Sequence, residues 1–188
     1  DVCSSDLIEA AFDVMIAVCK ASGNYSEEDI LVLYGICEDV KNPLTDFNGD
    51  LVRFVGSNPS GWPLTVILNG LANSLYLRYC YLVLNPEQEV ATFRDNVHLM
   101  TYGDDNIMGV SKDCAWFNHT TIAAALADID IVYTMADKEA ESVPYINIRD
   151  ASFLKRSWRW NPDLNNFSCP LEHDSIEKML MTWVRSKH

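Results

Sequence analysis

The stretch Tyr102-Gly103-Asp104-Asp105 lies between two short runs that are typical of strands, 98–102 and 106–110. Gly103 can adopt the positive φ that a tight turn requires, so the stretch predicts a β-hairpin with two adjacent carboxylates at its tip. Adjacent carboxylates repel each other unless a cation lies near them, and divalent cations such as Mg²⁺ prefer oxygen ligands. An ordinary solvated turn is the alternative, because Gly-Asp is common in turns.

The composition is that of a folded protein with a strong excess of acidic residues. The chain has 188 residues, of which 48% are hydrophobic, and this length permits one domain with a sizeable core. The net charge of −13 argues against a nucleic-acid-binding protein that acts alone, because such proteins carry a basic face. It is compatible with an acidic, metal-holding portion of a larger protein. Since the chain begins without Met, we expect a piece of a longer polypeptide, and no signal peptide is visible.

The cysteines give no indication of a zinc site. Six cysteines are spread along the chain without a Cys-x-x-Cys pair or a histidine at zinc-ligand spacing. They are typical of reduced, mostly buried thiols in a cytosolic protein. The sequence also lacks a Gly-x-Ser-x-Gly motif or a Cys/His arrangement that would indicate a hydrolase.

Helix and strand patterns alternate without the strict order of a doubly wound fold, which favours an α+β domain. The expected helices are 4–21, 26–40, 64–84, 120–129 and 175–185. Besides the central hairpin, the expected strands are 51–55, 131–134 and a hairpin within 151–160 that pairs back with 168–170. The caps expected for the last two helices are Thr120 or Thr121, and a capping box of Asp174 with Glu177.

The segment 64–84 is apolar apart from one polar stripe. Thr65, Asn69 and Asn73 recur at i, i+4 and i+8 on one helical face, and Arg78 interrupts the far end. The length alone would permit a membrane helix, but the stripe favours a buried helix that presents one polar face to a site. The alternative is that these amides only satisfy buried backbone groups.

Five stretches of the chain combine chemistry with a distinctive order. They are Asp1, Ser60-Gly61 with Thr65 and Asn69, Tyr102-Gly103-Asp104-Asp105, Ala136-Asp137-Lys138 and Phe153-Leu154-Lys155-Arg156. In this order and spacing they resemble the palm motifs of a viral RNA-directed RNA polymerase of the picornavirus-like positive-strand group (Picornavirales). The run 59–65 and the charged tail after Pro170 resemble marine, marnavirus-like or insect members more than mammalian ones.

This resemblance implies a fold and an organisation. The expected fold is an α+β polymerase palm, a small antiparallel sheet with the Gly-Asp-Asp hairpin packed on helices. Residues 1–188 would form a single partial palm domain, with the start of the thumb near 170–188 and the fingers and thumb largely missing. Asp1 matches the second aspartate of the first motif, so the principal metal-binding aspartate would lie five residues before the chain.

The resemblance also implies roles in nucleotidyl transfer. Asp104 would be the main ligand of Mg²⁺ (or Mn²⁺) and Asp105 a secondary one, while Lys138 would act as general acid toward the leaving pyrophosphate. Lys155 and Arg156 would contact the backbone of the RNA primer. The set that would bind the nucleotide and read its 2′-hydroxyl consists of Asp1, Ser60, Gly61, Thr65 and Asn69.

The partners and the location follow from the same resemblance. The expected partners are an RNA template and primer, ribonucleoside triphosphates, the fingers and thumb of the parent polymerase and other viral replication proteins. The expected location is the host cytoplasm, in a membrane-associated viral replication complex. The isolated chain is expected to be inactive, because it lacks one metal ligand and the surfaces that hold template and triphosphate.

Two alternatives remain open at this point. A reverse transcriptase palm uses a similar aspartate pair, but it usually carries an apolar residue where Gly103 stands, and it excludes the 2′-hydroxyl rather than binding it. The other alternative is an inert acidic α+β interaction module whose motif matches are coincidental. Lys138, Lys155 and Arg156 would in that case be ordinary solvated charges.

Overall fold

The computed structural model describes residues 5–56 and 58–184. The α-helices of this part are α1 Ser5–Ser22, α2 Glu27–Lys41, α3 Thr65–Leu84, α4 Phe93–Asn96, α5 His119–Ala127 and α6 His173–Met181. The strands are β1 Leu44–Phe47, β2 Asp50–Arg53, β3 Val97–Tyr102, β4 Asp105–Val110, β5 Ser152–Phe153, β6 Arg156–Ser157, β7 Arg159–Asn161 and β8 Asn166–Ser168. Helices and strands are therefore mixed, and the predicted α+β class is confirmed.

The strands of the described part pair only with their neighbours in sequence. They form four two-stranded antiparallel sheets, β1–β2, β3–β4, β5–β6 and β7–β8. Each sheet is one hairpin closed by a local turn, so the one small sheet that was expected is replaced by four separate ribbons. β5 lies against β4 without joining its ladder.

Helix α3 occupies the centre of the fold, because its buried residues contribute to both hydrophobic clusters. Leu68 joins the smaller cluster with α1 and α2. Tyr81 lies in the larger one, edge-on to Phe93 at 5.3 Å and to Phe117 at 5.5 Å between ring centroids. The β3–β4 hairpin packs on the same cluster through Val97 and its neighbours, so a rigid aromatic core supports the base of the hairpin.

The prediction of a strand at 131–134 is wrong. The segment is extended but has no ladder partner in the described ranges. Ile131 N–H donates to the carbonyl of Leu126 at the end of α5, and the side chains of Ile131 and Tyr133 pack against the larger cluster. Alternating burial thus comes from packing on a core rather than from a sheet, and the two cannot be told apart by periodicity over four residues.

The first hairpin was only half predicted. The expected strand 51–55 is β2, which ends at Arg53, and its partner β1 falls where no strand was expected. Asn48 and Gly49, with φ of 56° and 94°, form the turn between them. Asn-Gly with two positive φ values is a strong hairpin signal, so the sequence contained the information.

The predicted caps of α5 and α6 were wrong, whereas α2 begins as expected next to Ser26. Ser26 caps α2 in a capping box with Asp29. For α5 the cap is Asn118, and Thr121 reaches back to the Asn118 backbone as its partner. Helix α6 begins at His173 after Glu172 with no side-chain cap, so Asp174 lies inside the first turn rather than before it.

The pairing of the last strands was predicted correctly: Ser168 pairs with Arg159, and Ser157 N–H donates to the Pro170 carbonyl.

Along the described ranges no helix, α3 included, is long and apolar enough to cross a membrane. The described cysteines are free thiols, and Cys37, Cys80 and Cys114 are buried. Burial raises the pKa of the Cys80 thiol to about 12.

Candidate functional site

The tip of the β3–β4 hairpin is a two-residue turn. Tyr102 pairs with Asp105, so Gly103 and Asp104 are the two central residues. Gly103 has φ of 64° and Asp104 does not have a positive φ, as in the type II′ turns that suit the twist of a hairpin. The expectation for Gly103 is confirmed. Asp104 and Asp105 are both exposed.

The backbone of this tip is held by the polar stripe of α3. Asn73 Nδ2 donates to the Asp104 carbonyl at 2.7 Å and to the Gly103 carbonyl at 3.4 Å. Asn73 thus satisfies backbone groups, as the alternative for the stripe expected, but its Oδ1 also accepts from Asn106 Nδ2 at 3.2 Å. The carboxylates themselves enter none of the ion pairs found among residues 5–56 and 58–184. The turn is fixed through its main chain while its acidic groups stay accessible.

Gly70 allows α3 and β3 to approach each other closely. It is buried, and a Cβ built on it would lie 3.2 Å from Thr101 Oγ1 and 3.8 Å from the backbone nitrogen of Gly103. Sequence reasoning missed this residue. An isolated glycine inside a helical pattern is the available signal, since it lowers helix stability and is usually kept for packing.

The Gly-Ser-Pro loop before α3 is tied to the first turns of that helix. Thr65 Oγ1 donates to the Pro59 carbonyl at 2.6 Å, and Asn58 Nδ2 donates to Asn69 Oδ1 at 2.8 Å. Gly61 has φ of 84°, which favours glycine at this position. Ser60 and Gly61 are exposed. The structure thus brings Ser60, Gly61, Thr65 and Asn69 to one end of α3, whereas Asp1 lies outside the described residues.

The segment that carries Lys138 is connected to the hairpin through Tyr133. The Tyr133 hydroxyl donates to Asn106 Oδ1 at 2.8 Å, and Asn106 Nδ2 donates to Asn73 Oδ1 at 3.2 Å. A tyrosine hydroxyl is protonated at neutral pH, and burial raises the pKa of Tyr133 further. Lys138 itself is exposed. Asn106 and Tyr133 have no motif signal, and only the fold identifies them.

The stretch expected to contact the primer forms the β5–β6 turn. Leu154 and Lys155 are its central residues, with φ of 54° and 59°, an uncommon conformation for side chains of this size. Lys155 is exposed. Arg156 is also exposed, but its Nη1 donates to the Cys169 carbonyl at 2.9 Å, so part of this guanidinium holds the following segment.

The carboxylates at the hairpin tip are suited to a divalent cation by their chemistry. Mg²⁺ is commonly held by one or two carboxylates together with waters and substrate phosphates, and Asp104 with Asp105 offers that donor set. No cluster of three or more His, Cys, Asp or Glu side chains that could hold a metal occurs in the described portion. Asp104 and Asp105 would therefore supply only part of the ligands of such a cation.

Comparison with known proteins yields one family and a consistent set of relatives. The family model for viral RNA-dependent RNA polymerase matches residues 2–188. The chain is 30% identical over 166 residues, or 85% of its length, to the replicase polyprotein of Cricket paralysis virus. It is 30% identical over 179 residues, or 92%, to the genome polyprotein of Deformed wing virus, and 37% identical over 120 residues, or 63%, to the RNA1 polyprotein of Grapevine chrome mosaic virus.

The chain spans only a small part of these curated relatives. The matched regions are 9%, 6% and 5% of the three polyproteins. Insect and plant viruses are represented among them. The resemblance to marine viruses stays a prediction.

Proposed function

This chain belongs to the viral RNA-dependent RNA polymerase family, and we propose that it forms the palm of such an enzyme and carries template-directed addition of ribonucleotides to an RNA 3′-end. The observation that carries this proposal is the exposed carboxylate pair at a hairpin tip whose backbone is held by Asn73. A solvated turn needs no such support from a buried helix. An acidic interaction module would also not be expected to match a polymerase family over residues 2–188.

In this proposal Asp104 and Asp105 hold the catalytic cations, with Asp104 as the main ligand. Two divalent cations, when bound, activate the attacking 3′-hydroxyl and neutralise the charge that develops on the leaving pyrophosphate. The contribution of Asn73 is to fix the main chain of the turn from which the two carboxylates project. A further aspartate upstream of Asp1 would complete the ligand set.

Lys138, Lys155 and Arg156 are proposed to act on the phosphates. Lys138 would donate a proton to the leaving pyrophosphate, or stabilise its charge, from an exposed loop. Lys155 and Arg156 would contact the primer backbone from the β5–β6 turn, a charge interaction without sequence information. Because Arg156 is partly engaged with Cys169, Lys155 is the more available of the two.

The end of α3 is proposed to read the ribose. Ser60, Gly61, Thr65 and Asn69 lie together there, and with Asp1 they would supply hydroxyl, amide and carboxylate groups for the 2′-hydroxyl. Asn69 is held by Asn58, so its amide is oriented before a nucleotide arrives. This orientation supports selection of ribonucleotides over deoxyribonucleotides.

Asn69→Ala in the intact polymerase is expected to lower the preference for ribonucleoside over deoxyribonucleoside triphosphates by about tenfold, the effect of one hydrogen bond to the substrate. The measurement is the ratio of kcat/KM for the two substrates on one primed RNA template. Asn42→Ala, at the end of α2, is a matched control that should leave the ratio unchanged. An unaltered ratio in Asn69→Ala would refute the ribose-reading role.

The proposed setting is a larger polyprotein. Residues 1–188 would be one partial palm domain whose thumb begins near 170–188, and the fingers and the rest of the thumb would come from other parts of the parent chain. The RNA template, primer and triphosphates would bind the assembled enzyme. We propose that this enzyme acts in a membrane-associated replication complex in the host cytoplasm.

The direct test is primer extension by the intact parent protein. On a primed RNA template with Mg²⁺ or Mn²⁺, we expect incorporation of ribonucleotides and little incorporation of deoxyribonucleotides. Preferred incorporation of deoxyribonucleotides would favour the reverse transcriptase alternative. No incorporation of either substrate by a folded parent would contradict the proposal.

A further inference from the structure

A one-directional chain of hydrogen bonds joins three elements that are distant in sequence. The Tyr133 hydroxyl donates to Asn106 Oδ1, Asn106 Nδ2 donates to Asn73 Oδ1, and Asn73 Nδ2 donates to the Asp104 carbonyl. The distances are 2.8, 3.2 and 2.7 Å. Both amides donate and accept within this chain, and each bond polarises the next one. The segment before Lys138 is thereby linked to the backbone of the acidic turn.

The same segment is anchored at both ends on one histidine. The Tyr133 ring stacks on the His119 ring with 4.9 Å between centroids and 27° between planes. The side chain of His119 contacts the far end of the segment, with Nδ1 2.8 Å from Ser142 Oγ. The backbone N–H of His119 donates to the Pro144 carbonyl at 3.2 Å. Residues 134–141, which include Lys138, therefore form a loop whose two ends meet at the start of α5.

We propose that Tyr133 is a positioning residue that holds the Lys138 loop at a fixed place relative to the Asp104 turn, through Asn106 and Asn73. This inference rests on the proposed function, in which Lys138 and Asp104 act on the same triphosphate. Lys138 is exposed and long, so its reach depends on where the ends of its loop are held. The Tyr133 hydroxyl bonds this segment to the hairpin through the side chain of Asn106, at 2.8 Å.

Tyr133→Phe tests the hydroxyl while keeping the ring. The ring can still stack on His119 and pack against the core, so the fold is expected to persist. In the intact polymerase we expect kcat for single-nucleotide addition to fall about tenfold, the effect of losing one hydrogen bond, with KM for the triphosphate unchanged. Tyr79→Phe, on an exposed face of α3, is the matched control and should have no effect.

A double-mutant cycle separates positioning of Lys138 from general destabilisation. If Tyr133 acts through Lys138, Tyr133→Phe should have little further effect in a Lys138→Leu background. An equal effect in both backgrounds, or no effect in the wild-type background, would overturn the inference. Asn106→Ala removes the bonds to both Tyr133 and Asn73, so it should lower kcat at least as much as Tyr133→Phe. Adding Tyr133→Phe to Asn106→Ala should have no further effect, which keeps the test valid if one single variant folds poorly.

A readout independent of activity distinguishes failure of the inference from failure of the proposed function. Trypsin cleaves after Lys138, and release of one anchor should raise the rate of that cleavage in folded Tyr133→Phe protein but not in Tyr79→Phe. Faster cleavage in a parent without RNA synthesis would support the anchor and contradict the polymerase proposal. Unchanged cleavage in an active parent would contradict the anchor alone.

Discussion

Asp104→Asn in the intact polymerase is expected to lower the rate of nucleotide addition by about 10³-fold or more. The substitution keeps the size of the side chain and removes the negative charge that would hold the cations, and metal-ion catalysis supplies several kcal/mol of charge stabilisation. Asp104 is exposed and its carbonyl, not its carboxylate, accepts from Asn73, so the fold should not change. The measurements are primer extension in Mg²⁺ and thermal unfolding of the same samples.

The control for this variant is an aspartate far from the hairpin, and Asp105 provides a comparison within the proposed site. Asp163→Asn, in the exposed turn between β7 and β8, should leave nucleotide addition unchanged. Asp105→Asn should give a smaller loss than Asp104→Asn, in line with its secondary role. Near-normal extension by Asp104→Asn would rule out the metal-ligand role of this residue, whatever the result for Asp105.

Gly70→Leu is expected to lower the rate of nucleotide addition by about 10²-fold with only moderate loss of stability. The first added carbon would already lie 3.2 Å from Thr101 Oγ1, and the rest of the side chain must displace β3 from α3. A displacement of roughly 1 Å in a catalytic group can cost about 10²-fold in rate. Overpacking of this kind typically costs about 1–3 kcal/mol of folding free energy. Steady-state kinetics and denaturant unfolding of the intact polymerase provide the two measurements.

Gly35 supplies a control for the contact of Gly70 with Thr101, and Thr101→Ala supplies a compensating substitution. Gly35 lies in the exposed face of α2 with no atom within 4 Å of a built Cβ, so Gly35→Ala should raise stability by about 0.5–1 kcal/mol and leave activity unchanged. Gly70→Ala alone should lower activity slightly, and adding Thr101→Ala should restore it. If Gly70→Leu were fully active, the hairpin position would not depend on this contact.

Sequence reasoning singled out the residues with candidate chemistry but not the residues that hold their segments in place. Asp104, Ser60, Thr65 and Lys138 were singled out because their residue types and spacing resemble motifs of one family. The match over residues 2–188 confirms that family. Asn106 and Tyr133 carry no such pattern, because an isolated asparagine or tyrosine is compatible with many positions. The roles of the identified residues stay predictions, and Asp1 lies outside the described part of the chain.

The sequence by itself determined the local elements with strong physical signals. The apolar run with its polar stripe predicted α3, and Gly103 predicted the turn that presents the carboxylates, because a positive φ strongly restricts the residue type. Only the tertiary structure decided how these elements meet. The contact of Gly70 with Thr101 and the bonds from Tyr133 to Asn73 join residues about 30 to 60 positions apart. Such contacts depend on packing of the whole core, so they leave no periodic trace in the sequence.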